Sequence, residues 1–191
     1  MYAAILLLVV AVVWRVVLGV MHSHDLGWLH NFAPLSAIAL CGALFLPRKW
    51  AFALPLIALF ISDVMLNLHY GVSLVTGEMA ARYLALAAIA WLGWSLRNRP
   101  QAALILGASV LGSVAFFLVT NTASWLTEPA YAKSFAGWVQ AMTTGVPGFP
   151  STLTFFRHTL VSDVLFTALF LGAVAFSRRT EPAPREVLAN G

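Results

Sequence analysis

The sequence predicts an all-α fold, a polytopic transmembrane bundle of six helices with both termini on the cytoplasmic side. Three observations carry that expectation. Of the 191 residues 61% are hydrophobic and 9% charged, against about 25% charged in ordinary soluble domains, and mean hydropathy is +0.87. Apolar runs with few charges occupy about 2–21, 33–46, 51–67, 79–96, 101–120 and 155–176, most of them near the roughly 20 residues that a spanning helix needs. Basic residues follow every second run, and by the positive-inside rule those connections face the cytoplasm.

The first run is interrupted by Arg15 and has no basic residues before it, so it is expected to remain as a helix rather than to be cleaved as a signal. The second is about 14 residues, roughly 21 Å of helix against a hydrocarbon core of about 30 Å. The preceding "HNFAPLS" is suited to complete the crossing. Pro34 fits a first helical turn and pushes Ala33 toward extended geometry, and non-helical chain at that depth must be buried in protein or wetted by a cavity. A short tilted helix with a polar cap is the plainer alternative. Arg48-Lys49 after run two, Arg97 and Arg99 after run four, and Arg178-Arg179 after run six fall on one side. Trp50, Trp91 and Trp94 near the inner surface, with Trp28, Trp125 and Trp138 near the outer, suit aromatic belts. Residues 1–177 therefore read as one membrane domain and 178–191 as a polar cytoplasmic tail, in a bacterial inner membrane. Nucleic acid is excluded as a partner because the basic residues cluster in short loops instead of forming a stripe. Lone Cys41 reads as a small packing residue.

No Walker-type or dinucleotide-type glycine pattern occurs, and "GASVLGS" at 107–113 lacks the lysine of a phosphate loop. No cofactor is expected. Small residues four apart, Ala33/Ala37 and Ala39/Ala43 in run two and Ala108/Gly112 in run five, permit close helix approach.

Four ionisable residues inside runs, Arg15, Asp63, Arg82 and Asp163, fall at comparable depth in the outer leaflet. There they are expected to form a charge-balanced layer facing the bundle interior, because an ionised group in a membrane costs at least about 2.5–3.5 kcal/mol. That layer is either an ion-pair network or part of a ligand pocket. Asn67, Thr159 and Thr167 lie one helical turn from Asp63 or Asp163 on the same faces. All five histidines, His22, His24, His30, His69 and His158, fall on the outer side, but their spacing does not specify a metal site. The 121–158 connection carries Trp125, Tyr131, Phe135, Trp138 and Phe149 with Pro147 and Pro150. Its length suits a lid or binding segment, with a helix expected at about Tyr131–Thr143.

"NFAPLSAIALCGALF", "PLIALFISDVMLN", "FFLVTNTASWL", the stretch ending in "GVPGFP", and "TLVSDVLF" together resemble an uncharacterised bacterial six-helix membrane family, over about residues 15–175. In wider shape the chain is similar to the substrate-binding S components of energy-coupling-factor (ECF) transporters. That resemblance implies capture of a small polar or vitamin-like molecule from the outer side, with transport driven by a separate transmembrane coupling protein and its ATPases. The positions it brings in are Arg15, Asn31, Phe32, Pro34, Asp63, Asn121, Trp125, Tyr131 and Asp163. On this reading Arg15 counters an anionic group, Asn31 and Asn121 hydrogen-bond the ligand, and Trp125 and Tyr131 stack on it; Asn67 and Arg82 join from the charged layer. Run one lacks the regular alanine spacing of many S components. An accessory subunit packed in a larger membrane complex, respiratory or photosynthetic, is the alternative, and an enzyme is not expected.

Overall fold

The computed structural model describes residues 2–20, 32–73 and 77–180. These form seven helices, α1 (Tyr2–Val20), α2 (Leu35–Phe45), α3 (Ala53–Tyr70), α4 (Gly77–Ser95), α5 (Ala102–Thr127), α6 (Phe135–Met142) and α7 (Thr152–Thr180). No strand occurs among the described residues. Three helices, Ala53–Tyr70, Ala102–Thr127 and Thr152–Ser177, are long and apolar enough to cross a membrane. The bundle also turns large apolar side chains outward: Leu6, Ile57, Leu84, Trp91, Leu111 and Phe176 are all exposed. Together these features mark a membrane protein, because hydrocarbon accepts such a surface and water does not.

The centre of the molecule is the 11-residue α2. α2 packs against α1, α3, α4, α5 and α7, and every residue from Ser36 to Leu44 is buried. A helix enclosed on all sides has no polar face, and the small residues of this one set the approach distances. A Cβ on Gly93 of α4 would lie 2.3 Å from the Leu40 carbonyl oxygen, and one on Gly42 would lie 2.3 Å from Cγ of Pro55 on α3. The expected non-helical approach to α2 is present at Phe32–Pro34; the Trp14 indole donates to the Phe32 carbonyl at 3.1 Å.

Two boundaries differ from expectation. α5 continues through Asn121–Thr127, which the polar "NTASWLT" suggested was loop. Thr120 donates to the Phe116 carbonyl, Asn121 to Phe117 and Thr127 to Ala123, each at 3.0 Å or less. These side chains satisfy themselves on the turn behind them and leave the helix intact until Pro129 ends the run. α6 starts at Phe135, later than predicted, because Ser134 acts as its N-cap and accepts from the Gly137 amide at 3.2 Å.

With α6 set aside, the helices α1 to α5 and α7 alternate in direction. The ends of α1, α3 and α5 meet the starts of α4 and α7 beside α6: Tyr70 donates to the Gly19 carbonyl, and Thr127 donates to Glu78 at 3.1 Å. Arg97, just beyond α4, lies at the opposite end against the end of α2.

Candidate functional site

The polar residues of the interior fall into three groups. In the first, Asp63 of α3 is 3% exposed and accepts from both arginines. Arg15 of α1 donates to Asp63 Oδ1 and to Ser62 Oγ, and Arg82 of α4 approaches the same Oδ1 at 3.3 Å. Tyr83 donates its hydroxyl to Oδ2 at 2.8 Å. Ser62 spends its own proton on the Leu59 carbonyl at 2.7 Å, so its lone pairs are free for Arg15. Two guanidinium groups meet one carboxylate, and the Arg82 side chain, 33% exposed, carries the surplus positive charge outward.

Asp163 is not part of that layer. Its carboxyl, 0% exposed, sits at the start of α2, where Oδ1 accepts from the Ala37 amide at 3.0 Å and Oδ2 from the Ser113 hydroxyl at 2.7 Å. Ser36 lies beside the same carboxyl, although its hydroxyl makes no hydrogen bond of normal geometry. The first amides of a helix lack intrahelical partners and carry the positive end of its dipole. Pro34, the N-cap, has no side-chain cap to offer. Asp163 therefore supplies from α7 the cap that α2 lacks locally. The other end of α2 is treated in kind. Arg97 donates to the carbonyls of Ala43 (2.7 Å) and Leu46, while its guanidinium lies 4.8 Å from the Trp94 ring centroid. Opposite charges thus close opposite ends of one buried helix, each at the end its dipole favours. The predicted four-charge layer is replaced by a three-residue ion cluster and a separate helix cap, because depth alone does not say which way a side chain faces.

The third group surrounds a cavity of about 690 Å³ between α5, α7 and the 128–152 connection. Its walls include Phe116, Phe117, Phe155 and Phe156, and Phe117 and Phe156 meet across the two helices with ring centroids 4.5 Å apart. Polar groups on the wall include Thr120, Asn121, Ser124, Tyr131 and Thr159, with Glu78 and Glu128 as its carboxylates; Ser113 on the wall touches Asp163 behind it. Tyr131 is 8% exposed. Burial, then the nearby Glu128 and Glu78 carboxylates, raise its phenol above the ordinary value, so it remains a neutral donor. Trp125 holds the connection in place by donating to the Ala132 carbonyl at 2.9 Å, and Trp138 of α6 donates to Thr122 at 3.1 Å.

Of the predicted site residues, Asn121 and Tyr131 line this cavity. Arg15, Asp63 and Arg82 come together away from its lining, Asp163 lies behind it, and Phe32 packs edge-on against Trp14 at 6.3 Å. Asn67 donates to the Ser73 carbonyl at 3.2 Å, closing the end of α3, and Trp125 anchors the connection rather than the wall. Asn31, with His22, His24 and His30, lies outside the described residues. Glu78 and Glu128 were missed, although Glu78 immediately precedes run four and Glu128 lies within the aromatic connection. Arg157 was missed as a fifth ionisable residue within the apolar runs; it lies in the second turn of α7 and is exposed.

No curated protein and no solved structure is detectably similar to the chain, and nothing in these comparisons connects it to ECF S components. Over residues 1–184 it matches the family of unknown function DUF6580, and the chain belongs to that family.

Proposed function

We propose that the protein is a multi-pass inner-membrane binding protein that captures a small polar molecule from the outer side, as the substrate-binding component of a transport system. The observation that carries this reading is the cavity of about 690 Å³, within the roughly 300–1,000 Å³ typical of small-molecule sites and, like them, mostly apolar with a few converging polar groups. Asn121 and Tyr131 are its central polar contacts, and the 128–152 connection is its cover.

In this reading α1 to α5 and α7 cross the membrane and α6 lies along the outer edge. Arg48, Lys49, Arg97 and Arg99 sit at the end remote from α6, which suits a cytoplasmic surface. α2, about 16 Å long, crosses with the help of Phe32–Pro34, and its shortness is tolerable because protein surrounds it. The chain carries no nucleotide-binding motif, so energy for transport would come from a separate coupling protein and its ATPases.

Native mass spectrometry of protein purified in mild detergent tests the reading. The expected result is a retained small molecule that Asn121→Ala and Tyr131→Phe release. Identical spectra from wild type and both variants would overturn it.

A further inference from the structure

Resting on the cavity as the ligand site, we infer that its ligand is an organic cation, an ammonium or similar group attached to an apolar body. Among the described residues the lining holds two carboxylates, Glu78 and Glu128, and no lysine, arginine or histidine. Lys133 and Arg157 are absent from the lining itself. Lys133 donates to the backbone carbonyls of Trp125 and Glu128, and Arg157 is exposed.

The hydrogen-bonding stock of the wall points the same way. Asn121 spends one amide proton on the Phe117 carbonyl at 2.8 Å, which leaves its Oδ1 to accept and one N–H to donate. Among the described residues Glu78 takes one bond, from the Thr127 hydroxyl that it shares with the Ala123 carbonyl, and retains further lone pairs. Thr120 has used its proton on its own helix. Tyr131, more than nine-tenths buried, lines the cavity with a hydroxyl that makes no hydrogen bond among the described residues and can accept as well as donate. A ligand bringing an acidic group would meet like charge at Glu78 and Glu128, whereas one bringing N–H donors meets acceptors and one bringing a quaternary nitrogen meets opposite charge. The faces of Phe116, Phe117, Phe155 and Phe156 favour the same occupant, since aromatic rings attract cations. This replaces the anionic group that Arg15 was expected to counter, because Arg15 is committed to Asp63 and Ser62.

The test is calorimetric titration of the full chain in non-ionic detergent with three probes of similar size, benzyltrimethylammonium, benzyl alcohol and phenylacetate. Ser124→Trp, which fills the cavity, serves as the control for partition into micelles. The expected result is that benzyltrimethylammonium binds at least tenfold more tightly than either other probe and is lost in Ser124→Trp. Glu78→Gln and Glu128→Gln should each weaken it about tenfold, the scale of one carboxylate's Coulombic attraction for a nearby cation in a partly desolvated site. Glu78→Gln keeps the acceptor for Thr127, and Glu128 is exposed, so at least one variant keeps its fold, as unchanged thermal unfolding would verify. If all three probes bind alike and Ser124→Trp abolishes all three, the cavity is a binding site and the charge preference is wrong. Preference for phenylacetate, or no binding by benzyltrimethylammonium, also overturns the inference; the co-purified ligand then decides the binding reading on its own.

Discussion

Two regions of this bundle bury polar groups, and they treat them in opposite ways. Around α2 the charged groups are answered by protein. Asp63 receives Arg15, Arg82 and Tyr83, Asp163 receives Ala37 and Ser113, and Arg97 reaches two carbonyls. Beside α6, Tyr131, Asn121 and the two glutamates face about 690 Å³ of space with bonding capacity to spare. Satisfied groups hold a fold together, and unsatisfied ones on a cavity wall are suited to a ligand. Substitutions in the two regions should therefore separate stability from binding.

The largest effect is expected where one partner of the ion cluster is removed. Asp63→Ala leaves the buried Arg15 without its carboxylate, and such losses typically cost about 3–5 kcal/mol, measurable as reversible unfolding in mixed micelles. An unchanged midpoint would mean that the cluster is held together by something else. Asp163→Ala should come next, at about 2 kcal/mol, because the Ala37 amide and the Ser113 hydroxyl lose a buried acceptor; the loss should appear as faster amide exchange at the start of α2. Arg97→Ala should cost about 1 kcal/mol, since other groups or water can reach part of the helix end it serves. Its exchange signature should fall on the last turn of α2 instead. Asn121→Ala should change stability least, within about 0.5 kcal/mol, while releasing the retained ligand.

Much of the bundle was legible in the sequence. The apolar runs at 33–46 and 79–96 became Leu35–Phe45 and Gly77–Ser95, since length and hydropathy report burial in protein or lipid directly. The Arg15–Asp63–Arg82 association was legible too, because opposite charges at one depth in a membrane have few other partners. Azimuth was not. Asp163 is expected from the sequence at the depth of that cluster, yet its partner is the start of α2, and no local pattern announces a cap supplied from 126 residues away. The same limit hid Arg97, which reads as a cytoplasmic marker until α2 is seen to end against it. The carboxylates of the cavity escaped for a different reason. Glu78 and Glu128 flank elements rather than interrupt them, so a search for charges inside apolar runs passes over both. Asn121 and Tyr131 came in through the resemblance, and their setting on the wall depends on α5 continuing to Thr127.

The division between a closed, charge-answered centre and an open, acceptor-lined cavity is most directly tested by measuring unfolding midpoint and ligand retention together in Arg15→Ala and Asn121→Ala. Arg15→Ala should unfold at a clearly lower temperature yet retain the small molecule in native spectra taken while it is folded. Asn121→Ala should unfold like wild type and retain none. The reverse pattern, with Arg15→Ala empty but fully stable and Asn121→Ala loaded, would move the binding site to the ion cluster and contradict the division.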